Sequence, residues 1–216
     1  MEPELLSTVA LAAGAAWASG INLYATILVF GILGTSGSLV LPPDLEILTH
    51  PLVMTAAGFM YCVEFFADKT PGVDNAWDAL HTFIRIPAGA VLAAAAVGEL
   101  DPAIALAAFI LGGGLAAGAH ALKAGTRVLI NTSPEPVSNW TASIVEDLAV
   151  LGGLWAALNH PWWFLAGLLV FVLMLAWTLP KLWHAIRELA ARVRRFLRGT
   201  PPDAATPTAP SASSHT

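Results

Sequence analysis

Charge is scarce in this chain: Asp, Glu, Lys and Arg make up 12% of its 216 residues, about half their share in a typical water-soluble domain. So few ions cannot keep a large surface in water, and composition argues against a soluble globule. Cysteine is scarcer still. The one present, Cys62, lies within an apolar run, which excludes an internal disulfide framework and a cysteine-rich metal centre. Basic residues number ten against fifteen acidic ones, so no nucleic-acid partner is expected. A cationic leader is missing too: the chain opens Met1-Glu2-Pro3-Glu4, and its first apolar block is expected to stay in the protein as a span. GxSxG, Walker, HExxH and CxxC patterns are absent. With no recognisable nucleophile and base pair, no cofactor is expected and an enzyme is the least favoured class.

What the chain does have is apolar sequence in long blocks, with 56% of residues hydrophobic. Roughly 20 such residues in a helix cross about 30 Å of hydrocarbon. The blocks 5–33, 51–67, 83–97, 102–121, 144–158 and 163–179 predict about six spans, an all-α polytopic membrane helix bundle filling residues 1–180. Lys181, Arg187, Arg192, Arg194, Arg195 and Arg198 follow the last block. By the positive-inside rule the C-terminus is then cytoplasmic, and an even number of spans puts the N-terminus there too, in a cell's inner membrane. Residues 181–198 alternate arginines with Leu182, Ile186, Leu189, Val193 and Phe196, the pattern of a basic amphipathic helix lying on anionic inner-leaflet lipid. The Pro-, Ala-, Ser- and Thr-rich residues 199–216 are expected to be a disordered tail. Membrane lipid is the expected partner, and a second copy of the chain is another candidate.

An internal echo runs through these blocks. Ser19-Gly20-Ile21-Asn22 resembles Ala117-Gly118-Ala119-His120, Val63-Glu64 resembles Val145-Glu146, and Trp77-Asp78-Ala79-Leu80 resembles Trp155-Ala156-Ala157-Leu158, in one order. Three spans per half is an odd number, so duplication would give an inverted 3+3 repeat of about 5–98 and 102–180. Glycines crowd Asn22 and His120, predicting breaks in the first and fourth spans whose freed backbone lines a cavity. The plain alternative is close helix packing through small residues.

Ionisable groups at membrane depth cost several kcal/mol, so they face a bundle interior or a wet cavity. Asn22 and Tyr24 form one group. A second is the hairpin in which Glu64 and Asp68 share a helix face, Pro71-Gly72 turns the chain, and Asp74, Asp78, His81 and Arg85 recur at helical spacing. Its carboxylates suit a hard cation or a proton relay, and any metal would fall to Glu64, Asp68, Asp74 and Asp78. His120, Lys123 and Arg127 make a cationic stripe, facing either those carboxylates or an anionic headgroup. In the fourth group Ser133 and Glu135 lie among prolines, followed by Asn139, Glu146 and Asp147, a segment fit to line a pathway mouth. All of these are candidate substrate- or ion-binding residues. Salt bridges that only hold helices together are the simpler account.

Gly20-Ile21-Asn22-Leu23-Tyr24-Ala25-Thr26, the run from Glu64 to Asp74 with Trp77-Asp78, and His81-Thr82-Phe83-Ile84-Arg85 resemble the bacterial membrane family known as domain of unknown function 4126. The resemblance covers roughly residues 9–177 and implies no substrate, cofactor or catalytic assignment. From the residues themselves the expected function is a small transporter or channel for an ion or solute, its polar site bordering one hydrated chamber. A lipid-handling protein, scramblase or carrier, and a structural or assembly protein are the alternatives.

Overall fold

Our computed structural model describes residues 3–98, 100–132 and 136–197. Among these the chain forms six long α-helices and one short 3-10 helix, with no strand. In order they are α1 (Pro3–Thr35), the 3-10 helix (Pro43–Thr49), α2 (Pro51–Ala67), α3 (Val73–Val97), α4 (Pro102–Ile130), α5 (Pro136–Asn159) and α6 (Pro161–Leu197). Proline opens α1, α2, α4, α5 and α6, where its fixed φ suits the first turn and its missing N–H has no helical partner to lose. Side chains complete two of these starts. The Asp101 carboxylate accepts the Ala103 N–H at 2.7 Å, and His50 Nδ1 accepts the Leu52 N–H at 3.2 Å.

Helices α1, α3, α4, α5 and α6 are each long and apolar enough to cross a membrane. The 17-residue α2 qualifies only together with the 3-10 helix, from which it bends by 66°. Six spans are therefore reached only if this bent pair is counted as one. Large apolar side chains stand exposed along the outward helix faces, among them Phe59, Phe83, Leu111, Trp163 and Leu173. In water such a surface would drive association; an integral membrane protein requires it. Both short predicted spans grow at their polar ends, since α3 begins at Val73 and α5 at Pro136. Much of the charged hairpin is thus helix.

The first predicted break is present. Asn22 has φ −144° and ψ 96° within α1, and its neighbours satisfy the backbone it frees. Asn22 Oδ1 accepts the Ala25 N–H at 3.0 Å, capping the second half of α1, and Thr26 Oγ1 donates to the Asn22 carbonyl at 2.8 Å. The predicted break in the fourth span is absent: α4 runs as one helix through Gly112, Gly113, Gly114, Gly118 and His120. Its glycines serve close packing instead. A Cβ on Gly112 would run into Ala93 and the Gly89 carbonyl, and one on Gly118 into Leu175. Where α1, α3 and α4 cross, the buried residues are small, including Ala15, Ala16, Ser19, Gly89 and Ala116. Small residues let helix backbones approach in lipid, where van der Waals contact drives association.

The basic stretch continues α6 through Pro180 with no gap in the helix. Lys181 lies over the Trp177 ring at 3.0 Å, and Leu182 packs against Gly125 of α4. The tail of residues 199–216, with Ser133 and Glu135, lies outside the described residues.

Candidate functional site

The buried polar groups of this apolar bundle gather into one network. Glu64 and Asp68, one turn apart at the end of α2, meet cations from two other helices. Glu64 Oε1 accepts from Arg85 Nη2 at 2.5 Å and lies 3.4 Å from Lys123 Nζ. Asp68 Oδ2 accepts from Lys123 at 2.7 Å, with Arg127 3.9 Å away. Asp78 Oδ1 accepts from Arg85 Nη1 at 3.2 Å. Glu146 of α5 takes both Nε and Nη2 of Arg127, at 3.3 and 2.7 Å, and lies 3.4 Å from Lys123. Six of these seven ions are buried, and Glu146 keeps 17% of its side chain exposed. Four carboxylates face three cations, leaving one negative charge if all are ionised.

Backbone atoms complete the cations' shells. Lys123 Nζ donates to the Ile21 carbonyl at 3.2 Å, next to the break in α1. Arg127 Nη1 donates to the carbonyls of Asp68 and Asn139 at 2.8 and 3.0 Å. Asp68 caps α2, and burial works against its ionised form; Lys123 and then Arg127 outweigh that and hold its carboxyl below the usual range.

The tautomer of His120 is fixed by its neighbours. Arginine only donates, so Nδ1 of His120, 3.3 Å from Arg85 Nη1, is an acceptor, and Nε2 carries the proton toward Thr82 Oγ1 at 2.8 Å. In His81, Nδ1 donates to the Trp77 carbonyl at 2.9 Å, and Nε2 shares a hydrogen bond with the Tyr24 hydroxyl at 3.0 Å. The His120 ring is neutral in this arrangement. Nearby, Asn22 Nδ2 and the Tyr61 hydroxyl donate to the two oxygens of Asp147 at 3.0 and 3.3 Å. Asp74 accepts from Asn131 at 2.8 Å, Asn131 Oδ1 accepts from Asn139 at 2.7 Å, and Asn139 joins Arg127.

The structure therefore joins Asn22, Tyr24, Glu64, Asp68, Asp74, Asp78, His81, Arg85, His120, Lys123, Arg127, Asn139, Glu146 and Asp147 around one region. Of the stripe's members, Lys123 and Arg127 meet the carboxylates, while His120 turns to Thr82, Arg85 and the Asp78 carbonyl. Lys69, Asn131 and Ser143, which lie within the same polar stretches of sequence, belong here too, as do Tyr61 and Thr82, which those stretches do not single out. Lys69 Nζ donates to Ser143 Oγ at 3.0 Å and sits 3.1 Å above the Phe65 ring. Tyr61 and Ser143 precede Glu64 and Glu146 by three residues, so helical spacing was the signal available.

Two expectations need correction. Glu64, Asp68, Asp74 and Asp78 do not converge as a metal site, and among the described residues no three His, Cys, Asp or Glu do. Asp74 is drawn away to Asn131 and the Gly72 and Asn75 amides, while the others reach separate cations. Nor do Asn22, Glu64 and His120 open on a hydrated chamber: they are at most 3% exposed.

Residues 9–181 match the family described as domain of unknown function (DUF4126). The chain belongs to this family. The DUF4126 match takes in every residue of the network, from Asn22 to Asp147. No curated protein and no solved structure matches the chain.

Asn22 gives the most local test of this geometry. Asn22→Ala removes the cap on the second half of α1 and one donor to Asp147, and is expected to cost about 2 kcal/mol. The thermal unfolding midpoint in detergent should fall. An unchanged midpoint would mean that the break in α1 does not depend on this side chain.

Proposed function

We propose that this protein is a multi-pass transporter or channel of a cell's inner membrane, moving a small ion or solute, with both termini cytoplasmic and the buried network as its closed gate. One observation carries the reading: a network of seven ions, six of them buried and the set unequal in sign, sits beside the break in α1. Stability alone does not call for it, since apolar replacements of buried ion pairs are often neutral or stabilising. Ions at membrane depth are expensive and are generally kept for function.

Lys123 is placed to exchange partners. It lies within 3.4 Å of Glu64 and Glu146 and 2.7 Å from Asp68, so it can follow α2 or α5 without ever being left unpaired. An inverted repeat of about 5–98 and 102–180 would put Glu64 and Glu146 in corresponding places, and their shared contact with Lys123 supports that relation. The continuous α4 opposite the broken α1 marks where the halves would have diverged. The basic continuation of α6 would rest on anionic inner-leaflet lipid.

Purified protein in liposomes should pass at least one of H⁺, Na⁺, K⁺, Cl⁻ or phosphate faster than protein-free vesicles. Glu64→Gln, which keeps the oxygen bonded by Arg85 and Lys123 but removes the charge, should cut that flux at least tenfold, measured at a temperature below the variant's own unfolding midpoint, which is expected to fall because two buried cations lose a charged partner. The complete pairing of the cations favours one second reading, a structural role. Wild-type vesicles as tight as empty ones to all five ions would decide for it.

A further inference from the structure

Resting on the transport reading, we propose that the network's uncompensated charge is a proton site and that Asp78 carries the proton at neutral pH. Three buried carboxylates each make all their contacts through one oxygen. Glu64 Oε2, Asp68 Oδ1 and Asp78 Oδ2 are buried without a hydrogen-bond partner, whereas Glu146 uses both oxygens on Arg127. An ionised carboxylate has about four acceptor sites to fill, and a buried ion left short of partners costs far more than a neutral carboxyl in the same place. Adding a proton removes the surplus charge and turns one bare acceptor into an O–H.

Asp78 is the member with least support. Its one ionic contact is Arg85 at 3.2 Å, and that guanidinium is bonded more closely to Glu64, at 2.5 Å. Glu64 also has Lys123, and Asp68 has both Lys123 and Arg127. The surrounding elements change nothing in this ranking. Asn22 and Tyr24 of α1 are neutral and serve Asp147 and His81. In α2, Tyr61 serves Asp147, and Lys69 beyond it bonds Ser143. His81 of α3 bonds the Trp77 carbonyl and Tyr24, His120 of α4 is held as a neutral ring, Lys123 and Arg127 are engaged by Glu64, Asp68 and Glu146, and Asp147 of α5 has its own donors. Among the described residues no α6 group ion-pairs with the network. The carboxylate oxygens offer no shared coordination shell for a metal cation, whereas a proton needs a single oxygen. In the step itself, a hydronium ion that reaches the opened gate gives a proton to an Asp78 oxygen: one O–H bond of the hydronium breaks, one O–H bond forms on the carboxyl, a water molecule is left, and release reverses it.

Infrared spectra of the full-length protein in detergent at neutral pH should show the C=O band of a protonated carboxyl, downshifted in D₂O. Asp78→Asn should lose the band and Asp68→Asn should keep it. Asparagine copies the shape and neutrality of the protonated acid, so Asp78→Asn should also unfold within a few degrees of wild type, and Asp68→Asn much lower. A wild-type spectrum without the band, a band that survives Asp78→Asn, or failure of Asp78→Asn to fold would each overturn the assignment. These readouts need no flux. Tight vesicles with a band that leaves on Asp78→Asn would sink the transport reading and keep the proton site, whereas flux without a band would sink the proton site alone.

Discussion

Arg127→Leu is expected to unfold the protein, lowering its stability by about 3–5 kcal/mol, the range for a buried ion deprived of its partner. Arg127 is fully buried and donates to Glu146, to the Asp68 and Asn139 carbonyls and to Asn139 Oδ1. It thereby ties the end of α2, the inner part of α4 and the start of α5 together at one guanidinium. Leucine fills much of the space and satisfies none of those acceptors. The check is the thermal midpoint and the monodispersity of the purified variant in detergent. Arg127→Leu combined with Glu146→Leu should recover part of the loss, because the stranded carboxylate is gone, whereas the backbone carbonyls stay unmet. A single variant as stable as wild type would show that the three helices hold together without it. Glu64→Gln, which still offers Arg85 and Lys123 an acceptor, is accordingly a milder variant than Arg127→Leu for reading flux on folded protein.

Much of this site could be read from spacing along single helices. Glu64 and Asp68 are four apart, and His120, Lys123 and Arg127 follow at three and four, so each set had to share a face, and lipid excludes ions from any face but an inner one. The break at Asn22 was legible because an amide among glycines deep in a long apolar block can cap a chain interruption. The same composition misled at His120. Glycine permits both a broken helix and a close helix crossing, and only the neighbouring helix decides: in α4, Ala93 and Leu175 occupy the space that a side chain would need.

Pairing across helices was not legible. That Arg85 divides its donors between Glu64 and Asp78, or that Asp147 turns to Asn22 and Tyr61, depends on the rotation and depth of one helix against the next. Small-residue contacts between the helices, such as Gly20 of α1 on Ala116 and Ala119 of α4, bear on both. The expectation of a wet chamber failed for the same reason, since spacing reveals how many ions face inward but not how near they come to one another.

Gly20→Val tests that dependence of the charges on the packing, and is expected to destabilise the protein by about 3 kcal/mol, the upper range for overpacking a tight core. A Cβ at Gly20 would stand 2.9 Å from both Ala116 Cα and Ala119 Cβ, and nearer still to the Ala116 carbonyl. These are backbone and alanine atoms, with no flexible side chain to yield, so α1 and α4 must separate. Gly114→Ala is the control: a Cβ there meets nothing within 4 Å, and the change should be neutral or slightly stabilising through helix propensity. Thermal unfolding of the two variants side by side separates crowding from a general effect of losing glycine. Lys123 lies one turn beyond Ala119 and reaches the carbonyl next to Asn22. Prying α4 from α1 at Gly20 therefore also draws the ammonium away from Ile21 and loosens its hold on Glu64 and Asp68, so a substitution that touches no ion should still weaken the ion network.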